Sequence, residues 1–188
     1  DLVWDALDTH PKFAAFRDVP RPDLAVSTRI FTRAKCRRIC EQAFAYAATH
    51  GYRSVTVCEK PNVIRETSGM MLDEARAVHE AYPQIQLWET NIDAQMMWLT
   101  KNPEDYGVIV AGNMFGDIIS DGFAGLVGGL GFAASGNYGD KAAIFEAVHG
   151  SAPKYAGKNV INPSALILSS VMMLRHLGET EAAQRIED

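Results

Sequence analysis

Three short apolar runs, at 54–58, 85–88 and 106–111, alternate with stretches of helical periodicity, and this alternation restricts the fold more than any other feature of the chain. Strands joined through helices run parallel in one sheet, because a parallel neighbour needs a crossover of a dozen or more residues. Tyr106-Gly107-Val108-Ile109-Val110-Ala111 is an apolar run, as in a buried strand of a parallel sheet; Ser54-Val55-Thr56-Val57-Cys58 is expected as a strand, and Ile85-Gln86-Leu87-Trp88 as one with period-2 alternation. Helices are expected over 33–49, 66–82 and 91–99. The first is capped by Thr32, closed by Gly51 and buried along Ile39, Ala43, Phe44 and Ala47; the second packs through Met70, Met71, Leu72, Ala75 and Val78. The class is α/β, a mixed parallel sheet flanked by helices. Neither a GxGxxG turn nor a Walker loop is present.

The flanks are less regular. Residues 1–24 carry apolar patches at Val3-Trp4 and 13–16 and a proline-marked loop at 18–23; Leu24–Phe31 is expected as an edge strand. Beyond Leu130 the stretch 131–140 reads as turns, 142–148 as a strand, and Asn162-Pro163-Ser164 as the start of an apolar helix over 165–177. Gly178 ends that helix and Glu179 begins another. The chain has 188 residues, enough for one core or slightly more, and its net charge of −5 argues against a nucleic-acid surface and gives no basic patch for membranes. No apolar run reaches the length of a membrane span and no targeting segment opens the sequence as given, so a cytoplasmic setting is expected. Three cysteines are too few for a disulfide framework. Cys36 and Cys40 share a helix face, which suits either a metal or redox pair or, as reduced thiols, a buried stripe.

The chemistry concentrates in Asn113-Met114-Phe115-Gly116-Asp117-Ile118-Ile119-Ser120-Asp121, which follows the third apolar run. Four residues separate Asp117 from Asp121, so on a helix both carboxylates lie on one face and repel. A divalent cation with hard oxygen ligands would offset them. Alternatively, Asp117 is an N-terminal cap and Asp121 a solvated first-turn charge. Glu59-Lys60-Pro61-Asn62 stands just past the carboxyl end of the first strand, where open α/β sheets place their ligands.

Three blocks, Lys60-x-Asn62, Asn113 to Asp121, and His149 to Pro163, with the specific run Phe145 to Gly157, resemble in order the isocitrate/isopropylmalate dehydrogenase family, over about Ser54 to Asp188. The second block has the family's metal motif, Asn-x-x-Gly-Asp-x-x-Ser-Asp. The resemblance implies the family's own α/β fold, not a Rossmann domain, here incomplete. Residues 1–30 would be an N-terminal segment, 31–134 the small domain with the dimerisation and metal sites, and 135–188 part of the large, cofactor-binding domain. It further implies that Asp117 and Asp121 hold Mg²⁺ or Mn²⁺ with Asp93 reaching in from a partner subunit, and that Lys60, also from the partner, assists removal of the substrate's hydroxyl proton. A cation beside an ammonium favours its neutral, basic form. Without the resemblance, Asp93 is a first-turn surface charge and Lys60 an exposed lysine at a strand end.

The cofactor surface implied comprises Asn62, Asn113, His149, Gly150, Ser151, Ala152, Lys154, Tyr155 and Asn162. His149 would meet adenine, and Asn62 would stand by the nicotinamide end. Their alternative roles are structural, a turn for Asn62 and a helix cap for Asn162. Lys154 and Tyr155 occupy the positions where NADP-using members meet the 2′-phosphate and NAD-using members commonly carry Asp; an ammonium and a phenol suit a phosphate. On that basis the chain looks most like the C-terminal half of a bacterial-type, NADP-dependent isocitrate dehydrogenase, a homodimer with shared active sites. It would convert isocitrate to 2-oxoglutarate, and this half alone would be inactive. Asp1-Leu2-Val3 aligns with the family's Asp-Leu-Tyr and would put Val3 where the catalytic tyrosine stands. The rival readings are an isopropylmalate, homoisocitrate or tartrate dehydrogenase of the same family, a non-catalytic regulatory subunit, or a dimerisation module.

Overall fold

The computed structural model describes residues 2–188, except the side chain of Leu2. The first position of the Asp-Leu-Tyr alignment, Asp1, lies outside the described residues. The chain divides into two compact units, one ending at Thr32 and one spanning Arg33–Asp188.

The first unit is helix α1 (Leu2–Thr9) with 3₁₀ turns at Pro11–Phe16 and Arg21–Asp23. The Arg21 guanidinium lies 5.2 Å from the centroid of the Trp4 ring and pairs with Asp8 at 3.1 Å. The edge strand expected over 24–31 does not form. Leu24 is extended (φ −121°, ψ 119°), but no strand is assigned over 24–31 and neither sheet includes it. Extended backbone becomes a strand only when a ladder takes up its N–H and C=O groups.

In the second unit, α2 (Arg33–His50), β1 (Ser54–Glu59), α3 (Arg65–His79), β2 (Gln86–Asn91), α4 (Ile92–Lys101), β3 (Val108–Ala111) and α5 (Asn113–Leu126) follow one another. The sheet order is β2-β1-β3, all parallel. The chain moves from β1 to β2 in one direction and from β2 to β3 in the other. Right-handed crossovers therefore put α3 and α4 on opposite faces. α2 packs with α3 and α4 with α5, and β1 between these layers is buried at every position. At the sheet's other end β1 and β3 come so close that a Cβ on Gly107 would stand 2.5 Å from the carbonyl oxygen of Ser54, which leaves only glycine there.

The buried stripe of α2 runs through Cys36, Cys40, Ala43, Phe44 and Ala47, whereas Ile39 is 43% exposed. The thiols, not the isoleucine, face α3, with Cys40 Sγ 4.0 Å from Met71 Sδ. Burial pushes the Cys40 thiol up to about 12 and the Cys58 thiol up to about 11. All three cysteines are free and buried.

A second sheet pairs β4 (Ala134–Tyr138) antiparallel with β5 (Ala143–Ala147). β4 lies within the stretch expected to be turns. Its Ser-Gly-Asn centre carries no strand signature, and the strand exists because β5 pairs with it and α6 (Ser164–His176) covers it. Ser169 of α6 accepts from the Ser135 N–H at 3.2 Å and reaches the Glu146 carbonyl at 2.8 Å, clasping both strands. α6 ends at Gly178 (φ +85°), whose left-handed backbone lets α7 (Thr180–Glu187) fold back on it. Among the described residues no helix is long and apolar enough to cross a membrane.

Candidate active site

The sheet order reverses between β1 and β3, and the crevice past their carboxyl ends is where open α/β sheets take ligands. Register sets the contents of that edge. Glu59 faces Asn91 on β2, and Cys58 faces Ala111 on β3. The next residues on the three strands are therefore Lys60, the start of α4 with Asp93, and Gly112-Asn113 at the start of α5.

Lys60 Nζ meets Asp93 Oδ1 at 2.5 Å. The lysine side chain is 19% exposed and the aspartate 67%. The Lys60 hydrogen bond, helped by backbone N–H groups in the first turn of α4, holds the Asp93 carboxyl below the usual aspartate range. Asp93 is thus a carboxylate throughout the physiological range, and Lys60 is not the free strand-end lysine of the structural reading.

Asp117 and Asp121 sit on α5 beyond its first turn. The helix begins at Asn113 with Gly112 as its N-cap and has no acidic residue in its first turn. The capping alternative for Asp117 therefore falls. Both aspartates are exposed, and neither pairs with a cation among the described residues. Two unneutralised oxygen donors on one helix face fit a hard divalent cation. They supply only part of a coordination shell, for among the described residues no three His, Cys, Asp or Glu side chains come together to hold a metal ion. One chain thus presents Lys60 with Asp93 as one group and Asp117 with Asp121 as another.

Asn62 lies in the tight turn after β1, where the Lys60 carbonyl accepts from the Val63 and Ile64 N–H groups at 3.1 and 2.8 Å. Asn113 is exposed at the first position of α5. The remaining expected cofactor residues lie on the segment between β5 and α6. His149 Nδ1 is 2.8 Å from the Gly150 carbonyl oxygen. A carbonyl only accepts, so Nδ1 is the donor in this contact. Ala152 is left-handed (φ 44°, ψ 56°), an arrangement costing an L-residue about 1–2 kcal/mol. It turns the chain into the 3₁₀ turn Pro153–Tyr155. Lys154 Nζ lies 4.9 Å and Lys158 Nζ 5.8 Å from the centroid of the Tyr155 ring, so two ammonium groups flank one phenol. Asn162 Oδ1 accepts from the Ser164 N–H at 2.9 Å, which makes the helix-start role real.

A family model described as isocitrate/isopropylmalate dehydrogenase matches residues 14–188. The chain belongs to that family. It is 48% identical over 166 residues to a 3-isopropylmalate dehydrogenase of Methanothermobacter thermautotrophicus, covering 88% of this chain and 50% of the relative. It is 46% identical over 187 residues to the mitochondrial "Isocitrate dehydrogenase [NAD] catalytic subunit 5" of Arabidopsis thaliana, covering 99% of this chain and 50% of the relative. The crystal structure of isocitrate dehydrogenase from Methylococcus capsulatus superposes with a TM-score of 0.84 at 44% identity, over 86% of this chain and 48% of the other. The chain spans about half the length of the curated relatives it matches.

Reading the family motifs singled out Lys60, Asp93, Asp117 and Asp121 but passed over a buried carboxylate next to Lys60. Glu59, placed past the strand as a polar end residue, is the last residue of β1 and fully buried. Ser68 and the Gly112 N–H are its partners. A lone carboxylate inside an otherwise neutral buried strand was the available signal. A cavity of about 420 Å³ lies beside β3, lined by Tyr52, Tyr106, Ile109 and Phe123 among others. It includes Gly116, Ile119 and Ser120 of α5 but neither aspartate.

Proposed function

We propose that the full-length protein oxidises isocitrate with NADP and Mg²⁺ or Mn²⁺, yielding 2-oxoglutarate and CO₂, as a homodimer whose active sites are shared between subunits. The observation that carries this reading is the grouping of the expected residues. Lys60 and Asp93 are joined at 2.5 Å on one chain, while Asp117 and Asp121 stand apart on α5 with no cationic partner among the described residues. Such a division suits a site completed by a second subunit. Exposed Met114 and Ile118 on α5, at 47% and 44%, flank the aspartates and suit contact with a neighbouring chain. In this reading residues 31–134 carry the metal and dimer contacts and 135–188 the cofactor contacts.

Asp117 and Asp121 of one subunit and Asp93 of the other would hold the cation. When bound, it would polarise the substrate hydroxyl and stabilise the charge left by loss of CO₂. Lys60 Nζ would take the hydroxyl proton, with Asp93 fixing the direction in which the amine points. His149 Nε2 would accept from an adenine amino group, Asn62 and Asn113 would lie toward the nicotinamide, and Lys154 and Tyr155 would meet the 2′-phosphate. Buried, unpaired thiols suit a reducing compartment such as the cytoplasm.

The isopropylmalate reading has support of its own, since relatives of similar identity carry that name and another carries NAD. Steady-state kinetics of the full-length protein with isocitrate, isopropylmalate, homoisocitrate and tartrate, each with NADP and NAD, separates them. Isocitrate with NADP should give the highest kcat/KM, and Lys154→Asp should lower the NADP preference by about ten-fold or more, the equivalent of one charge-assisted hydrogen bond. Preference for isopropylmalate or for NAD would overturn the proposal. Turnover of none of them would favour the regulatory reading.

A further inference from the structure

Glu59 is a fully buried carboxylate with no lysine, arginine or histidine partner among the described residues. Its oxygens are nevertheless satisfied. Oε1 accepts from the Gly112 backbone N–H at 2.7 Å, and Oε2 accepts from Ser68 Oγ–H at 2.8 Å. Ser68 Oγ in turn accepts from the Lys60 backbone N–H at 3.3 Å. Gly112 is the N-cap of α5 and has no side chain to cap it. The carboxylate at the end of β1 therefore takes, from another element, the N-cap N–H that a capping-box glutamate takes within its own helix, close to the positive end of the α5 dipole.

Glu59 turns to the start of α5, and Lys60, the next residue, turns to Asp93 on α4. One strand end thus grips both helices that carry the expected site. We propose that Glu59 is a positioning residue, whose carboxylate sets the register of α5, and with it Asp117 and Asp121, against the Lys60–Asp93 pair. Its effect on metal binding rests on the metal reading of the two aspartates; its effect on α5 does not.

Residue-resolved amide exchange and Mn²⁺ titration followed by the electron paramagnetic resonance of free Mn²⁺ test this on the full-length protein and its variants. In Glu59→Ala the Gly112 amide should lose protection, and Mn²⁺ affinity should fall severalfold, less than the roughly ten-fold or more that follows removal of a group bonded directly to a metal ligand. Glu59→Asp keeps the charge but falls about one bond length short, and should lose protection and affinity in the same direction while keeping the fold. Glu59→Gln keeps an acceptor for Gly112 and a donor for Ser68, and should restore both readouts most of the way. Wild-type protection of Gly112 in Glu59→Asp, or in a folded Glu59→Ala, would overturn the proposal. So would unchanged Mn²⁺ affinity after protection is lost, since Glu59 would then be a cap of no consequence to the site. If the full-length wild type binds no Mn²⁺, the metal reading fails by itself, and the exchange data still decide whether Glu59 sets α5.

Discussion

Ser169→Ala removes one hydroxyl that ties α6 to both strands of the hairpin. The side chain is 1% exposed, accepts from the Ser135 N–H, and stands within reach of the Glu146 carbonyl at 2.8 Å and its own helix's Ala165 carbonyl at 2.9 Å. A hydroxyl has one proton to donate, and the Ala165 carbonyl already has the helix bond, so Glu146 depends on it more. Truncation leaves an N–H and a C=O stranded in a part-buried place, which costs about 1 kcal/mol each. Alanine recovers about 0.5 kcal/mol through its better helix propensity. The net loss of about 1.5 kcal/mol corresponds to a Tm lower by about 3–6 °C in a domain of this size. Calorimetry measures it, and exchange at the Ser135 amide locates it. An unchanged Tm with Ser135 still protected would refute the reasoning, because it would mean that the strands close on each other once the hydroxyl is gone.

Other outcomes follow from buried and paired groups. Lys60→Met should return the Asp93 carboxyl toward its ordinary value, seen by NMR titration. Its folded-state pKa is depressed, so the pair's contribution to stability is present above the ordinary 3.8 and lost as pH falls below it. A wild-type-minus-variant stability difference that grows on acidification would contradict this. Cys40 and Cys58, pushed up to about 12 and about 11, should resist iodoacetamide at pH 8 until the chain is unfolded in guanidinium; modification of the native protein would count against the burial described. Thr56 Oγ1 is buried in β1 with no hydrogen-bond partner, and Thr56→Val should raise stability by about 1 kcal/mol. A lower Tm would show that something does serve that hydroxyl.

Periodicity located α2, β1, α3, β2, α4 and β3, because they bury their apolar residues in the layers about one sheet. It misassigned the stripe of α2. Ile39 is the more hydrophobic residue by type, yet Cys36 and Cys40 continue the line of Phe44 and Ala47 into α3. It missed β4, whose Gly136 and Asn137 favour turns locally and whose existence depends on pairing with β5. In the site, Asp117 and Asp121 were visible as a spacing, and Asp93 and Lys60 only through the resemblance. Glu59 was hidden for another reason. Its partners are a serine nine residues on and a backbone N–H 53 residues away, and backbone donors leave no mark in a sequence.

The two rims of the parallel sheet differ in kind. β2 presents Gln86, Glu89 and Asn91 along one rim, whereas β3 is Val-Ile-Val-Ala with no strand beyond it. A charged rim discourages further strands, and a bare aliphatic one invites them. Handled as an isolated polypeptide, the chain would owe its shelf life less to how hot it can be made than to how concentrated. Turbidity would rise with protein concentration at temperatures where circular dichroism still reports native secondary structure, and a lysine in place of Ile109 would delay it.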